Sequence, residues 1–377
     1  MRGKTYFPGP GPTSQGTNPG RSQNSSVHIL IYSCVFHPSV GGSETACRLL
    51  ADGLFAAGHQ VQIVTQSAGP ATETFPYPIH YSPSANELFR LVRWSDAYVH
   101  SNISLRGAWP LLFLRRPWII IHHSRITRVT GEVTCLDHVK RFATRFARNI
   151  AVSQSMARDL PGPVTVIGNG YDPDVFHLRP EIVRDRDVIF LGRLNHDKGC
   201  HLVIEAIQKL SRNGLRPVLT IVGSGGAEAD LQRQVQEVGL GGQVIFKGTK
   251  SRGEIAELLN AHRILVVPSL VPETFGLVVL EGIACGCGVI VSTSGALEEI
   301  AGPCGVSFPS NDIESLADRL EELLTSPARI DELQSRSQEH LESFRSDHIC
   351  QRYFDAITRE ANAAVDPFSL LLFAATL

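Results

Sequence analysis

Short apolar runs alternate with amphipathic segments along most of the chain. The run VHILIYS at 27–33 is rich in β-branched residues, which is typical of a strand buried on both faces. In SETACRLLADGLFAA at 43–57, apolar residues recur three and four positions apart, as on the buried face of a helix. This alternation predicts strands at 27–33, 60–66, 96–101, 118–123, 149–153 and 164–168.

The alternation restarts after a polar stretch at 172–186, which we interpret as a linker. Beyond it, the pattern predicts strands at 188–192, 218–222, 243–248, 264–268 and 289–292. The intervening helices are predicted at 200–212, 227–238, 252–261, 276–285 and 312–325, and 329–359 is largely helical. Two such series predict an α/β protein of two doubly wound parallel-sheet domains that face a central cleft. Because ligands bind beyond the carboxyl ends of parallel strands, the strand-to-helix turns are where chemistry is expected.

Composition places the chain among globular proteins with more than one core. Its 377 residues exceed what one core usually fills, and 43% of them are hydrophobic, which excludes disorder as the main state. No apolar stretch reaches the ~18–20 residues of a membrane span, and 1–26 lacks the apolar segment of a secretory signal. Eight cysteines at irregular spacing suit neither a disulfide framework nor a zinc site, so we expect reduced thiols in a cytoplasmic protein.

Charge is distributed unevenly along the chain. The net charge of −2 argues against nucleic acid as the main partner. Residues 86–160, however, carry twelve basic and five acidic side chains. Such an excess suits an anionic ligand or peripheral contact with the inner face of a membrane. A layer of ordinary solvated or salt-bridged helix faces explains it equally well, and both interpretations stay open.

Glycines mark two of the predicted turns. Gly41 and Gly42 directly precede a predicted helix, whose free N–H groups favour anions, although a plain tight turn explains the pair equally well. Gly192 opens another turn, followed by Arg193 and Lys198. A planar guanidinium beside a compact ammonium group suits a diphosphate, and a salt-bridged surface turn is the alternative.

Two histidines, His122 and His123, end the predicted strand at 118–123. They face opposite sides of the sheet, so only one of them reaches the cleft. An imidazole there exchanges hydrogen bonds with a substrate near neutral pH, whereas a lone histidine is more often structural.

The turn PSLVPETFGLVVLEG at 268–282 carries the strongest signal. Glu273 lies just before a predicted helix, and Glu281 follows eight residues later, about two turns inside it. Main-chain amides at a helix start bind phosphate, and carboxylates accept hydrogen bonds from sugar hydroxyls. A capping glutamate and a solvated glutamate are the alternative, but the helix is otherwise apolar, which makes a solvated Glu281 less favourable.

Together, these residues resemble the retaining glycosyltransferases of family 4, which have the GT-B architecture of two Rossmann-like domains. The resemblance extends over about 27–354. Its most specific part is the E-x7-E signature formed by Glu273 and Glu281, whereas the glycine-rich turns are less specific. The other matching segments are Gly41-Gly42-Ser-Glu44, Ala151-Val-Ser153, Asn169-Gly170 with Phe176, Gly192-Arg193 through Lys198-Gly199, and Val222-Gly-Ser-Gly225.

The resemblance implies a role for each matching residue. His122 would contact the transferred sugar, and Glu273 would hold its hydroxyls. Arg193 and Lys198 would neutralise the diphosphate leaving group, and Glu281 would bind the nucleotide ribose. Main-chain contacts with the donor are expected at Gly41, Gly42, Gly192, Gly223, Phe275, Gly276 and Leu277.

Domain limits and partners also follow from the resemblance. A leader at 1–26 would precede an acceptor domain at 27–178 and a donor domain at 179–345, and a C-terminal helix with a tail at 346–377 would return to the first domain. The donor would be a UDP- or GDP-sugar, and the acceptor a glycan or a lipid-linked molecule in polysaccharide or glycolipid synthesis. Neither a metal ion nor another cofactor is expected. An Asp-x-Asp triplet could hold a metal ion, but the nearest match, Asp172-Pro-Asp174, falls in the predicted linker.

Two other functions fit parts of the pattern. The segment VGSGGAE at 222–228 begins like a nicotinamide-dinucleotide fingerprint, but Glu228 stands where the third glycine is needed, and the segment lies deep in the second domain. The other alternative is a catalytically inactive nucleotide-sugar-binding protein of the same fold. Every side chain with an implied role is present, which favours an enzyme.

Overall fold

The computed structural model describes residues 26–38, 41–69, 74–126 and 134–362. It contains two parallel β-sheets, each packed between layers of helices. Each predicted strand is present, with ends that differ from the prediction by two residues or fewer. The predicted two-domain, doubly wound α/β architecture is therefore confirmed.

The first sheet has seven parallel strands in the order β3-β2-β1-β4-β5-β6-β7. Its strands are β1 (His28–Ser33), β2 (Gln60–Thr65), β3 (Ile79–Tyr81), β4 (Ala97–Ser101), β5 (Trp118–His122), β6 (Arg148–Ala151) and β7 (Val164–Val166). The helices between them are α1 (Gly42–Ala56), α2 (Ala85–Trp94), α3 (Leu105–Ala108), α4 (Cys135–Ala143) and α5 (Gln154–Ala157). The order reverses between β1 and β4, which opens a crevice beyond the carboxyl ends of these strands.

The second sheet repeats this topology with six parallel strands in the order β10-β9-β8-β11-β12-β13. Its strands are β8 (Arg186–Leu191), β9 (Leu219–Val222), β10 (Val244–Phe246), β11 (His262–Val267), β12 (Gly288–Ser292) and β13 (Gly305–Phe308). The associated helices are α6 (Cys200–Arg212), α7 (Glu228–Glu237), α8 (Arg252–Ala261), α9 (Leu277–Ala284), α10 (Leu297–Ala301) and α11 (Ile313–Thr325).

The chain then forms α12 (Pro327–Gln334), α13 (Ser337–Glu342) and α14 (Ser346–Asn362). Helix α14 leaves the second sheet and packs against α1, where Gly53 leaves room for the side chain of Cys350. Where α14 begins, Tyr171 accepts a main-chain hydrogen bond from Ser346 (3.1 Å) and donates one to Phe344 (3.0 Å). The two chain segments that connect the halves are therefore hydrogen-bonded to each other.

Two strands, β3 and β13, were not predicted from the sequence. β3 has only three residues, Ile-His-Tyr, and β13 begins at Gly305 directly after a 3₁₀ turn, so neither forms an apolar run long enough to be recognised. The helical stretch predicted at 329–359 is three separate helices. Most of the leader at 1–26, and the tail beyond 362, lie outside the described residues.

Apolar side chains fill a layer on each face of both sheets. In β1, Ile29 and Ile31 pack in the layer that contains α1 and α14, whereas Leu30 and Tyr32 face the layer that contains α2. The first of these layers continues into the second domain through residues such as Phe275. One continuous apolar core therefore joins the two domains. None of the helices in the described part of the chain is long and apolar enough to cross a bilayer.

Candidate active site

The loop after β11 brings Glu273 to the carboxyl ends of the second sheet. Its carboxylate oxygen Oε1 accepts hydrogen bonds from Ser269 Oγ at 2.6 Å and from Lys198 Nζ at 2.5 Å. The side chains of Lys198 and Glu273 are only 20% and 18% exposed. Oε2 forms no hydrogen bond with a described residue, so one carboxylate oxygen remains available to a ligand.

The sequence left two interpretations of Lys198 open, a cation for a diphosphate and a salt-bridged surface turn. The lysine ends a 3₁₀ turn (His196–Lys198), and its ammonium group is paired with Glu273 in a largely buried position. A cation that the sequence assigned to a diphosphate therefore also neutralises a carboxylate. By contrast, Arg193 is exposed and forms no ion pair with any described residue.

A glycine fixes the main chain of Glu273. Gly295 pairs with Glu273 as an isolated parallel bridge and has a φ of +72°. A Cβ atom on Gly295 would lie 2.1 Å from the carbonyl oxygen of Glu273. The amide of Ala296 donates to that same oxygen at 2.9 Å. Only glycine fits this close approach, which holds the loop in place.

Helix α9 starts one residue later than the sequence predicted. Gly276 has a φ of +100°, a left-handed conformation that ends the loop, and Leu277 is the first helical residue. The first main-chain N–H groups of α9 have no partner within the helix and suit an anion. The ring of Phe275 is buried and packs edge-on against Phe344.

The position of Glu281 also differs from the prediction, because it lies about one turn inside α9 rather than two. The side chain is partly exposed and forms no hydrogen bond with a described residue. Burial raises the pKa of Glu281 to about 7; the positive charge of Arg252 opposes this shift, and the negative charge of Asp172 adds to it. The carboxyl therefore changes its charge near neutral pH.

Arg252 and Ser269 are candidate site residues that sequence reasoning missed. Arg252 forms an ion pair with Asp172 (3.1 Å), and its guanidinium lies 5.5 Å from the centroid of the Phe176 ring. Nothing in the sequence connects Arg252 with Glu281, because only the fold brings α8 beside α9. Ser269 stands directly after the predicted strand at 264–268, so the strand-end rule alone points to it.

The predicted glycine turns meet at the ends of β8 and β9. Gly223 has a φ of +135°, and a Cβ there would lie 1.9 Å from the carbonyl oxygen of Gly192. The two main chains therefore touch beside Arg193. In the first domain, Gly41 precedes α1, and a Cβ on Gly42 would meet no atom of a described residue within 4 Å, so these residues leave room for a ligand at the main chain.

The two histidines at the end of β5 face opposite sides of the sheet, and both side chains are buried. His122 is held by a neighbouring strand. Its ring is fully buried on the face that carries Ile120, and Nε2 lies 2.9 Å from Asn149 Oδ1. His123 lines a cavity of about 10 Å³, beside Asn169 and α14. Both of its ring nitrogens lack a hydrogen-bond partner among the described residues. Burial lowers the pKa of both histidines to about 4, so both rings are neutral at pH 7.

Charged groups and main-chain amides dominate this site. Within the part of the chain that the structure describes, no three histidine, cysteine, aspartate or glutamate side chains are grouped so that they could hold a metal ion. Lys198, Arg193 and the start of α9 supply positive charge on one side of the cleft. Glu273 and Glu281 supply hydrogen-bond acceptors within the same domain.

Comparison with known proteins identifies the family. The model of the glycosyltransferase family 4 matches residues 40–175, and that of the glycosyl transferases group 1 matches 179–340, so the two together cover most of the chain. A D-inositol 3-phosphate glycosyltransferase of Gordonia bronchialis is 28% identical over 252 residues, which are 62% of this chain and 55% of that protein. The chain thus spans about half the length of the curated relatives that it matches.

Solved structures share the fold at low sequence identity. Anabaena HepE, in complex with UDP and glucose, has a TM-score of 0.74 at 20% identity, with 88% of this chain and 99% of that chain covered. A sucrose-phosphate synthase from Thermosynechococcus elongatus has a TM-score of 0.72 at 21% identity, with 88% and 98% covered. With both halves matched by family models and the whole fold matched by these structures, the chain belongs to the family 4, group 1 glycosyltransferases of GT-B architecture.

Proposed function

We propose that this protein is a retaining glycosyltransferase that moves a sugar from a nucleoside diphosphate to an acceptor hydroxyl. The observation that carries the proposal is the arrangement of Lys198, Glu273 and Ser269 at the start of α9. It combines a cation for a leaving phosphate with a free carboxylate oxygen for sugar hydroxyls. The HepE structures that share this fold contain UDP, which supports a nucleotide as the ligand.

In the proposed reaction, the bond between the anomeric carbon and the β-phosphate oxygen breaks, and the acceptor oxygen bonds to the same carbon. The acceptor attacks on the face from which the diphosphate leaves, so the anomeric configuration is retained. The acceptor proton passes to the departing phosphate oxygen. Lys198, Arg193 and the amides of α9 stabilise the negative charge that builds on the diphosphate, without a metal ion.

We assign contact with the transferred sugar to His123 in place of His122. The main chain of His123 touches the loop that carries Glu273, through Thr274. Neither ring nitrogen of His123 has a close hydrogen-bond partner among the described residues, whereas Nε2 of His122 lies 2.9 Å from Asn149 Oδ1. A neutral imidazole both donates and accepts hydrogen bonds, which suits a sugar hydroxyl.

The test is a panel of UDP- and GDP-sugars, incubated with the protein and followed by release of the nucleoside diphosphate. We expect hydrolysis of at least one donor without acceptor, faster turnover once an acceptor is added, and a product with the donor's anomeric configuration by NMR. A product of inverted anomeric configuration would contradict the retaining mechanism but not the glycosyltransferase activity. Binding of a donor without turnover or hydrolysis would favour the alternative, a catalytically inactive nucleotide-sugar-binding protein. Oxidation of a hydroxyl with NAD reduction would favour an oxidoreductase.

We further propose that the first domain contacts an anionic membrane at the cytoplasmic face and that the acceptor is a glycan or a lipid-linked molecule there. The supporting feature is an aromatic–arginine patch of Phe89, Trp109, Phe113, Arg93 and Arg115. Ring centroids of Phe89 and Trp109 lie 6.0 Å apart, and those of Trp109 and Phe113 6.4 Å apart. Phe113 is 73% exposed. Arg93 and Arg115 are exposed and form no ion pair with a described residue, which supports a patch that is free to bind anions.

Vesicle flotation tests this membrane contact. We expect the protein to float with vesicles of phosphatidylcholine that contain phosphatidylglycerol, but not with phosphatidylcholine alone, and less so at high salt. The double variant Phe113→Ser/Arg93→Ser should lose this binding. Val183→Ser/Arg216→Ser is the matched control, because Val183 is 74% exposed and Arg216 is exposed in the second domain. Equal flotation of both variants would contradict the proposal.

A further inference from the structure

One residue of the Glu273 loop is hydrogen-bonded twice to the first domain. The hydroxyl Oγ1 of Thr274 donates to the carbonyl oxygen of His123 at 2.7 Å. The carbonyl oxygen of Thr274 accepts from Ser153 Oγ, also at 2.7 Å. Thr274 therefore bridges from the second domain to the ends of both β5 and β6.

The partners of Thr274 in the first domain are rigidly held. Asn102 Oδ1 accepts from the main-chain N–H groups of His123 and Ser124, each at 2.8 Å. This fixes the peptide whose carbonyl faces Thr274. Ser153 is fully buried, and its hydroxyl also accepts from the amide of Met156 at 3.1 Å, at the start of α5. Thr274 thus meets an acceptor and a donor that are both already in position.

Within the second domain, Thr274 directly follows Glu273. The carbonyl of Glu273 is held by the amide of Ala296, and its carboxylate by Ser269 and Lys198. A movement of Thr274 by even one ångström therefore changes the position of the neighbouring carboxylate. Such displacements matter because catalytic groups act within narrow limits of distance.

A second contact lies beside the first. Both carboxylate oxygens of Glu299 accept hydrogen bonds from main-chain amides of the first domain, Oε1 from Gln154 at 2.9 Å and Oε2 from Ser155 at 3.3 Å. Glu299 belongs to α10, which begins directly after Ala296, the residue whose amide donates to the carbonyl oxygen of Glu273. The bridge through Thr274 is therefore part of a formed interface between the domains.

We propose that Thr274 is a positioning residue, which ties the Glu273 carboxylate to the first domain so that the closed cleft and the correct place of this carboxylate arise together. The inference rests on the proposed function and names a residue that acts through Glu273 rather than on the substrate itself. The hydroxyl of Thr274 is the group that a substitution tests. The hydrogen bond from Ser153 Oγ to the main-chain carbonyl of residue 274 remains whichever side chain residue 274 has.

The test compares Thr274→Val, which keeps the shape but loses the donor, with Thr274→Ser, which keeps the hydroxyl. The loss of one well-placed hydrogen bond should lower kcat about 5- to 10-fold in Thr274→Val. The Kd for UDP should stay within about twofold, because the nucleotide is bound by the second domain, and Thr274→Ser should stay close to wild type. Thr325→Val is the matched control, since Thr325 also donates to a main-chain carbonyl (Glu321, 2.7 Å) but lies on α11.

A measurement without any donor gives a second, independent outcome. Hydrogen–deuterium exchange of segment 269–280 in the free protein should rise in Thr274→Val and not in Thr274→Ser or Thr325→Val. Wild-type exchange and wild-type kcat in Thr274→Val would overturn the inference, as would a Thr274→Ser variant as impaired as Thr274→Val. If the wild type turns over no nucleotide sugar, the proposed function fails, while the exchange experiment still decides whether Thr274 holds the Glu273 loop.

Discussion

The ammonium group of Lys198 lies 2.5 Å from Oε1 of Glu273, although the two residues are 75 positions apart in the sequence. They arrive from the ends of two neighbouring strands, β8 and β11. The pair joins the proposed diphosphate cation to the proposed sugar-binding carboxylate. Each side chain therefore holds the other in its orientation before any ligand arrives.

Lys198→Ala should lose roughly 100-fold in turnover, equivalent to about 2.7 kcal/mol, because a preorganised cation stabilises the charge on the leaving phosphate most strongly in the transition state. The substitution should also lower the free energy of unfolding by about 1–2 kcal/mol, since the largely buried Glu273 is left without its cation. Turnover and thermal unfolding measure the two effects. Near-normal turnover in a folded Lys198→Ala protein would show that the diphosphate is bound elsewhere.

Arg193→Ala should separate activity from stability more cleanly. Arg193 is exposed and forms no ion pair with the residues described, so its loss should change the free energy of unfolding by no more than about 0.5 kcal/mol. Turnover should fall at least tenfold, because a second cation on the diphosphate is lost. Arg216→Ala changes another exposed arginine of the same domain; it is the control and should leave both quantities unchanged.

The affinity for UDP should depend on pH through Glu281. Its pKa of about 7 means that the carboxyl is largely neutral at pH 6 and ionised at pH 8. An ionised carboxylate is the better acceptor for ribose hydroxyls, so the Kd for UDP should decrease as the pH rises through 7. Calorimetric titrations at pH 6, 7 and 8 measure this, and a Glu281→Gln variant should keep only the pH dependence of the terminal phosphate of UDP, whose second pKa is about 6. A wild-type profile equal to that of the variant would exclude Glu281 as the ribose ligand.

The free energy of unfolding should also depend on pH through Glu281, but it should decrease as the pH rises, whereas the affinity for UDP increases. The pKa in the folded state is above the ordinary value of 4.5, so the folded protein binds the proton more tightly than the unfolded chain does. The stabilisation is complete below pH 4.5 and is lost as the pH rises to about 7. In Glu281→Gln, unfolding measured against pH should lack this loss.

Gly223→Ala should destabilise the second domain by about 2–4 kcal/mol. The new Cβ would lie 1.9 Å from the carbonyl oxygen of Gly192, and the φ of +135° is strained for any residue with a side chain. Gly226→Ala is the control three residues away, because a Cβ there meets nothing within 4 Å. Chemical denaturation of the two variants compares them. Equal stability would mean that the two glycine turns are more separated than the structure has them.

Turnover should persist in EDTA, because Lys198, Arg193 and the start of α9 are proposed to take the place of a divalent cation at the diphosphate. The measurement is the rate of diphosphate release before and after chelation. A loss of activity that manganese restores would contradict the metal-free proposal.

The sequence predicts the fold far better than the geometry of the site. The limits of α6 and α8 match the prediction to the residue, since helical periodicity and capping are local properties. The pairing of Lys198 with Glu273 is not local, because it requires two strand ends to meet. The histidine pair shows the same limit. Alternation places His122 and His123 on opposite faces, but only the packed structure shows that His122 lies beside Asn149 and His123 beside α14.

The return of α14 to α1 means that the first half of this molecule is built from two separate pieces of chain, whereas the second half is one continuous piece. A polypeptide that ended at the linker would lack the helix that covers α1, and the groove around Gly53 and Ile167 would lie open to water. Attempts to produce the two halves separately should therefore give an aggregating first half unless residues 346–362 are supplied, either as a peptide or by fusion.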